Sequence, residues 1–234
     1  MYCYHNGNFI PQDQASVGVM DLAVIRGFGI FDYFVFDNYR PRFLHDYLNR
    51  FYRSAAFLDM TIPLSREAFT EAILALIRKN GQAYGGIRLL LTGGTSLDGY
   101  TPPAEGNLFI LQAKRPHLPE HHSKLGVAVA TYPHQRELPE IKSINYLTGI
   151  KLQPWLRQQG ADYVLYHDGT YFRESDRSNF FIVNEAGTIL TPKDKILPGI
   201  TRMKVIELAA QMGIPLEERE VSLAELRNAK EAFL

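Results

Sequence analysis

The pattern of apolar and polar residues at the start of the chain predicts β structure. Asn6-Gly7 lies between the short apolar runs 2–4 and 9–10, and this dipeptide is typical of a β-hairpin with a type I′ turn. Residues 29–36 are rich in aromatic and β-branched side chains, as expected for a buried strand. The chain is therefore predicted to begin with a hairpin that is followed by a longer core strand.

The period then changes from that of a strand to that of a helix. Apolar side chains recur at helical spacing at Leu44, Leu48, Phe51, Ala55 and Leu58. A second helix is predicted after Ser65. Two further core strands, at 87–91 and 108–111, lie on either side of a polar loop rich in glycine and proline at 92–106. Loops of this length in compact domains tend to be functional or mobile.

The second half of the chain is richer in short strands. Residues 114–124 lack apolar periodicity, and we place a domain linker at 117–124. Strands are predicted near 126–132, 162–166, 171–173, 180–183 and 188–190, with helices at 146–159 and 202–212. Ser222 and Glu225 match a capping box that opens the last helix. The prediction is an α+β fold with a small N-terminal domain at 1–116 and a larger, strand-rich C-terminal domain at 125–234.

Composition narrows the class of protein. Apolar residues make up 46% of the chain, which is ample for a buried core. Basic and acidic residues balance at 25 each, so neither a nucleic acid nor a membrane is expected as partner. The single cysteine, Cys3, excludes an internal disulfide and fits a reducing compartment. No apolar run reaches the roughly 18 residues of a membrane span, and the N-terminus does not resemble a signal peptide. We expect a cytoplasmic globular protein.

Several residues point to a phosphorylated aldehyde cofactor. Lys142 provides an amine that can form a Schiff base, and Glu174 provides a carboxylate that can keep a pyridine nitrogen protonated. The turn 197–202 offers backbone N–H groups at the start of a helix, where phosphate binds readily. Arg50 can bind the same phosphate through two N–H groups. From the residues alone, a surface lysine and a solvated arginine at a helix border stay open as alternatives.

The chain resembles the class IV (fold-type IV) pyridoxal-phosphate enzymes along nearly its whole length. That family includes branched-chain aminotransferases, D-amino acid aminotransferases and aminodeoxychorismate lyases. The matching segments are D-L-A-V-I-R-G-F-G-I-F-D at 21–32, L-H-D-Y-L-N-R at 44–50, G-I-R-L-L-L-T-G-G at 86–94, K-S-I-N-Y at 142–146, E-S-D-R-S-N-F at 174–180 and L-P-G-I-T-R at 197–202. The resemblance implies a small α/β N-terminal domain, a barrel-like C-terminal domain, pyridoxal 5′-phosphate as cofactor, and a homodimer.

The resemblance also implies a role for each matched residue. Lys142 is expected to hold the cofactor as a Schiff base and, once displaced, to accept the substrate's Cα proton. Glu174 is expected to pair with the ring nitrogen, and Tyr146 to donate a hydrogen bond to the cofactor's phenolate oxygen. The other positions implied for cofactor binding, at the ring face and the phosphate, are Leu197, Gly199, Ile200, Thr201 and Arg50. An ordinary N-cap threonine and a tyrosine at the edge of the core are the purely structural alternatives for Thr201 and Tyr146.

The substrate side is harder to predict. D-amino acid members of the family place an arginine near the position of Gly93-Gly94, and this chain has none there. Phe31 stands where those enzymes often have a tyrosine. Arg88 resembles the I-R pattern of branched-chain enzymes. Phe31 and Arg88 are therefore candidate substrate-binding residues, although aromatic residues that alternate along a strand are also typical of plain core.

More than one function stays open. The leading hypothesis is an aminotransferase that moves an amino group between a small amino acid, of branched-chain or D-amino acid type, and a 2-keto acid. Aminodeoxychorismate lyase activity is the alternative, although Thr201 favours transamination because the phosphate turn of lyases often lacks this threonine. The sequence stops at Leu234, where relatives continue, so a non-catalytic remnant is a further alternative. No metal site is expected, since the histidines at 117, 121 and 122 lie in a charged, proline-containing segment.

Overall fold

The computed structural model describes residues 1–116 and 119–234. These residues divide into two compact units, of which the first contains 1–116 and 141–145 and the second contains 119–140 and 146–234. The predicted linker at 117–124 includes residues 117 and 118, which lie outside the described residues. Residues 141–145 follow that linker in the sequence, yet they pack within the first unit.

The first unit is an antiparallel sheet with helices packed on it. Its strands are β1 (Tyr2–His5), β2 (Asn8–Pro11), β3 (Gly29–Asp37), β4 (Arg40–Pro41), β5 (Tyr84–Thr92) and β6 (Leu108–Ala113). Its helices are α1 (Leu22–Arg26), α2 (Leu44–Phe57) and α3 (Arg66–Asn80), with a short 3-10 turn at Gln12–Gln14. The strand order is β2-β1-β6-β5-β3-β4. The core strands predicted in this half of the chain are confirmed as β3, β5 and β6.

The hairpin predicted at Asn6-Gly7 is present. Asn6 has a φ of +43° and Gly7 a φ of +95°, and a type I′ turn needs positive values at both of its central residues. His5 pairs with Asn8 directly across the turn. The Asn6 side chain also accepts the Leu108 N–H at 2.8 Å. This hydrogen bond connects the hairpin turn to the start of β6.

Helices α2 and α3 cover one face of this sheet. Their predicted apolar stripes are buried against side chains of β3 and β5, and together these form one core: Leu48, Phe51, Ala55, Phe69, Ile73, Leu76, Ile30, Phe34, Phe36, Ile87 and Leu89. Each Leu, Ile or Phe side chain among them contributes about 1.5–3 kcal/mol when fully buried. Ser65 caps α3 by accepting the Ala68 N–H at 3.2 Å. The opposite face of β3 carries the half-buried Phe31 and Tyr33.

The second unit contains two mixed sheets. The strands of one are β7 (Val129–Pro133), β8 (Tyr163–His167), β9 (Tyr171–Ser175) and β13 (Val221–Ser222), in the order β13-β9-β8-β7. The strands of the other are β10 (Phe181–Val183), β11 (Ile189–Thr191), β12 (Leu216–Glu218) and β14 (Glu231–Phe233), in the order β12-β11-β10-β14. The helices are α4 (Glu120–Leu125), α5 (Leu147–Lys151), α6 (Gln153–Gln159), α7 (Ile200–Met212) and α8 (Leu223–Arg227).

Local predictions for the second unit mostly agree with the structure. The helix expected at 146–159 is divided into α5 and α6 near Pro154, which has no N–H with which to continue a helix. The capping box of Ser222 and Glu225 is confirmed. One expectation is wrong, because β9 extends beyond residue 173 to Ser175. The short helix α4 lies within the segment predicted to be a linker. Across the described residues, the helices are too short or too polar to cross a bilayer.

Candidate active site

Lys142 lies in an extended segment that runs beside the beginning of β3. The Lys142 carbonyl accepts the Phe31 N–H at 3.0 Å, and the Ile144 N–H donates to the Gly29 carbonyl at 3.1 Å. Ile141, next to the lysine, is buried in the core of the first unit. This backbone pairing and the buried anchor fix the position of the lysine relative to the sheet.

The amine of Lys142 lies over an aromatic ring. Its Nζ is 4.6 Å from the centroid of Phe31, within the range in which a ring face attracts a cation. Arg88 on β5 pairs with Tyr33 of β3, and because side chains alternate along a strand, Phe31, Tyr33 and Arg88 share one face of the sheet. The structure therefore brings the predicted residues Lys142, Phe31 and Arg88 to the same face.

Arg50 is buried, so the alternative of a solvated arginine is wrong. Its Nε donates to Asp32 Oδ2 at 2.9 Å and its Nη2 to Asp32 Oδ1 at 2.7 Å. Asp32 is 0% exposed and Arg50 is 4% exposed. The Tyr47 ring centroid lies 5.3 Å from the Arg50 Cζ. A buried charge requires a partner, and the Asp32 carboxylate, which was not predicted, satisfies one edge of this guanidinium.

Glu174 lies within β9, one residue beyond the segment 171–173 that was predicted to be a strand. Its side chain is buried, and both of its oxygens accept hydrogen bonds. Oε1 accepts from Arg136 Nε at 2.7 Å, and Oε2 accepts from the Leu197 N–H at 2.9 Å. The second contact connects the carboxylate directly to the turn that precedes α7.

The turn at 197–201 is packed tightly against Asn179. The Asn179 Nδ2 donates to the Leu197 carbonyl at 2.8 Å. A Cβ built on Gly199 would lie 1.9 Å from Asn179 Oδ1, so this close approach requires glycine. Gly199 is the N-cap of α7, and Ile200 and Thr201 form its first turn. Thr201 is therefore not the N-cap residue, and that alternative is wrong.

The first turn of α7 presents backbone N–H groups. Within the described chain, no side chain caps this end of the helix, whereas α1, α3 and α8 are capped by Asp21, Ser65 and Ser222. The helix dipole and the N–H groups at such an end favour a bound anion. A phosphate site at this end of α7 stays a prediction.

Tyr146 precedes α5 and accepts the Ile150 N–H at 3.0 Å through its carbonyl. Its side chain is half-buried. Burial raises the pKa of the nearby Tyr166, and the charges of Asp176 and Glu174 act in the same direction. Tyr146 also influences Tyr166 electrostatically. Tyr146 and Glu174 therefore both act electrostatically on the Tyr166 hydroxyl.

Three residues that make these contacts were not given an individual role from the sequence. Arg136 and Asp32 were not assigned a role, and Asn179 was named only as part of the matched segment 174–180. Their partners are distant in the sequence, so no local spacing indicates them. The described residues contain no group of three or more potential metal ligands. Residue 117, one of the three histidine positions named from the sequence, lies outside the described part of the chain.

The arrangement of helices and sheets matches solved structures of fold-type IV enzymes. The family model described as amino-transferase class IV matches residues 29–234. The chain therefore belongs to the class IV aminotransferase family.

Individual relatives agree with this family. A D-alanine aminotransferase from Listeria monocytogenes is 29% identical over 98% of this chain and 81% of its own length. The crystal structure of the Escherichia coli branched-chain amino acid aminotransferase is 27% identical, with a TM-score of 0.91 over 99% of this chain and 81% of that one. The 4-amino-4-deoxychorismate lyase from Pseudomonas aeruginosa is 30% identical, with a TM-score of 0.84 over 99% of this chain and 86% of that one. The similarity thus extends to both reactions that were considered from the sequence.

Proposed function

We propose that the protein is a pyridoxal-phosphate-dependent aminotransferase that moves an amino group between a small amino acid, of branched-chain or D-amino acid type, and a 2-keto acid. The observation that carries this proposal is the hydrogen bond of 2.9 Å from the Leu197 N–H to Glu174 Oε2. It joins the proposed partner of the ring nitrogen to the proposed phosphate turn. If the chain binds its cofactor as proposed, this hydrogen bond would hold two parts of the cofactor site together.

The residues of the second unit fit pyridoxal phosphate. A protonated ring nitrogen requires an acceptor, and the buried Glu174 carboxylate supplies one. An ionised carboxylate has about four acceptor sites, so a carboxylate held by two donors can accept from a third. The phosphate requires N–H donors, which the start of α7 at Ile200 and Thr201 supplies. Leu197 would pack against the ring face. Arg50 belongs to the first unit, and its guanidinium is the further group proposed for the phosphate.

Bound pyridoxal phosphate would supply an electron sink for the electrons that remain when a substrate proton leaves. Lys142 would attach the cofactor through its amine and, when neutral, accept that proton at Nζ. The Phe31 ring centroid lies 4.6 Å from Nζ, a distance at which a ring face attracts a cationic amine. Tyr146 would donate to the phenolate oxygen. Arg88 would bind a substrate carboxylate on the face that it shares with Phe31.

The alternative is 4-amino-4-deoxychorismate lyase activity. It is supported by the 30% identity and the TM-score of 0.84 to the Pseudomonas aeruginosa lyase. A lyase would use the same lysine and the same glutamate but would release pyruvate from a single substrate. It would not need a keto acid as acceptor, and this difference separates the two reactions.

The cofactor site is tested by chemical trapping. The purified protein is incubated with pyridoxal phosphate, reduced with borohydride, and mapped by peptide mass spectrometry. We expect modification at Lys142 and none at Lys151, an exposed lysine on α5. Modification at other lysines with Lys142 unmodified would contradict the assignment. A protein that binds no cofactor would favour the non-catalytic alternative.

The reaction is tested with a panel of L- and D-amino acids, each with and without 2-oxoglutarate or pyruvate. We expect turnover only when a keto acid is present. Release of pyruvate from aminodeoxychorismate without an acceptor would instead establish the lyase. The same preparation tests two further parts of the proposal: a homodimer, by light scattering, and a cytoplasmic location, by fractionation of the cells that express the protein.

A further inference from the structure

Arg136 connects Glu174 to the chain that leads to Lys142. Its Nε donates to Glu174 Oε1 at 2.7 Å, and its Nη2 donates to the Pro139 carbonyl. Both charged side chains are largely buried, at 18% exposure for Arg136 and 6% for Glu174. Pro139 lies three residues before Lys142 in the sequence. One guanidinium thus contacts the acidic residue on β9 and the segment just before the lysine.

These contacts fix the orientation of the carboxylate. Arg136 holds one oxygen of Glu174, and the Leu197 N–H holds the other at 2.9 Å. A carboxylate with a separate donor on each oxygen cannot rotate about its terminal bond without breaking a hydrogen bond. The plane of the Glu174 carboxylate is therefore set by the protein before any ligand binds.

The contact with Arg136 also determines the charge that Glu174 can carry. Burial disfavours an ionised carboxylate, whereas an opposite charge in direct contact favours it. The surroundings are poorly solvated, since burial raises the pKa of the neighbouring Tyr166. Without a cation here, a buried carboxyl group would tend to keep its own proton.

We propose that Arg136 is a positioning residue that holds Glu174 as a fixed, ionised carboxylate, so that the proton shared between Glu174 and the ring nitrogen of pyridoxal phosphate stays on the nitrogen. This inference rests on the proposed function, because it requires a pyridine ring beside Glu174. Arg136 acts here only through Glu174. Its effect must therefore depend on both the glutamate and the ring nitrogen.

The test compares the affinity of the apo-protein for two ligands by equilibrium dialysis. One is pyridoxal 5′-phosphate, and the other is its 1-deaza analogue, in which a C–H group replaces the ring nitrogen. For Arg136→Gln we expect the affinity for pyridoxal phosphate to fall at least about tenfold, with little change for the analogue. In a Glu174→Gln background, Arg136→Gln should have no further effect on the difference between the two ligands.

The pH dependence of binding gives a second readout. In Arg136→Gln the carboxyl group would ionise only at higher pH, so the affinity for pyridoxal phosphate should recover in part as the pH is raised. The native protein should not show this recovery. Arg177→Gln is the matched control, because Arg177 is 60% exposed and contacts Asp176, not Glu174. The affinity of this control variant for each of the two ligands should equal that of the native protein.

The outcomes separate this inference from the proposed function. A native protein that binds neither ligand refutes the proposed function. A native protein that prefers pyridoxal phosphate, with an Arg136→Gln variant that loses affinity for both ligands equally, refutes only the role of Arg136. Should Arg136→Gln fail to fold, Arg136→Lys keeps the charge and should keep most of the preference. Loss of that preference in a folded Arg136→Lys variant, to the level of Glu174→Gln, would overturn the inference.

Discussion

Replacing Gly199 by alanine tests how tightly the turn before α7 is packed. A Cβ at this position would lie 1.9 Å from Asn179 Oδ1 and 3.1 Å from its Cγ. The φ of Gly199 is −67°, which alanine adopts readily, so the cost is steric and not conformational. Asn179 must move, and its hydrogen bond of 2.8 Å to the Leu197 carbonyl is then lost.

The magnitude follows from these two effects. Overpacking typically costs about 1–3 kcal/mol, and the loss of a neutral hydrogen bond costs about 0.5–1.5 kcal/mol. We expect Gly199→Ala to lower the free energy of unfolding by about 2–4 kcal/mol. Asn179→Ala alone should cost about 1 kcal/mol. The double variant should be close to Asn179→Ala, because the obstructing oxygen is gone and the two changes are not additive.

Urea unfolding of these variants and of the native protein measures the change in the free energy of unfolding. Equal slopes of that free energy against urea concentration would show that only stability has changed. Gly18→Ala is the matched control, since a Cβ there would meet only Thr95 Oγ1 at 3.9 Å. Its effect should stay within about 0.5 kcal/mol. The reasoning is refuted if Gly199→Ala lowers the free energy of unfolding no more than Gly18→Ala does. It is also refuted if the losses of the two single variants simply add in the double variant.

The remaining predictions concern two ion pairs. Asp32→Asn leaves the buried Arg50 without its carboxylate partner, and we expect a loss of about 3–5 kcal/mol in urea unfolding; a loss below about 1 kcal/mol would contradict the burial of this pair. The hydrogen bond from the Arg219 guanidinium lowers the pKa of Glu225 to about 2, from 4.5. Because the folded-state pKa is the lower one, this contribution is present above pH 4.5 and is lost as the pH falls towards about 2. Arg219→Gln should reduce the fall in melting temperature that the native protein shows between pH 4.5 and about pH 2. A fall equal to that of the native protein would argue against a stabilising contribution from the Arg219–Glu225 ion pair.

Much of the local structure follows from short stretches of sequence. The hairpin at Asn6-Gly7 and the capping box of Ser222 and Glu225 depend on residues within a few positions of one another. The amphipathic pattern of α2 depends on one helical period. The resemblance of the ordered motifs to class IV enzymes predicted the family and the fold. It also named Lys142 and Glu174 as the candidate pair, which stays a prediction.

The contacts around those residues were decided by the tertiary structure. Asp32 and Arg50 are 18 positions apart, and Arg136 and Glu174 are 38 apart. The position of a charged residue in the sequence does not indicate which residue it will pair with. The sequence therefore left Arg50 as either solvated or phosphate-binding and gave Arg136 no role. Burial selects the partners, because a charge removed from water must be paired.

The same distinction holds for the backbone. The sequence by itself determined most of the longer helices and strands, because hydrogen bonding within a helix and turn chemistry are local, but it did not predict α1, α4, β12 or β14. Only the folded chain decided that residues 141–145 pair with β3 and that the Leu197 N–H reaches Glu174. Those contacts join segments that are brought together by burial of a shared core, and that burial depends on the whole chain.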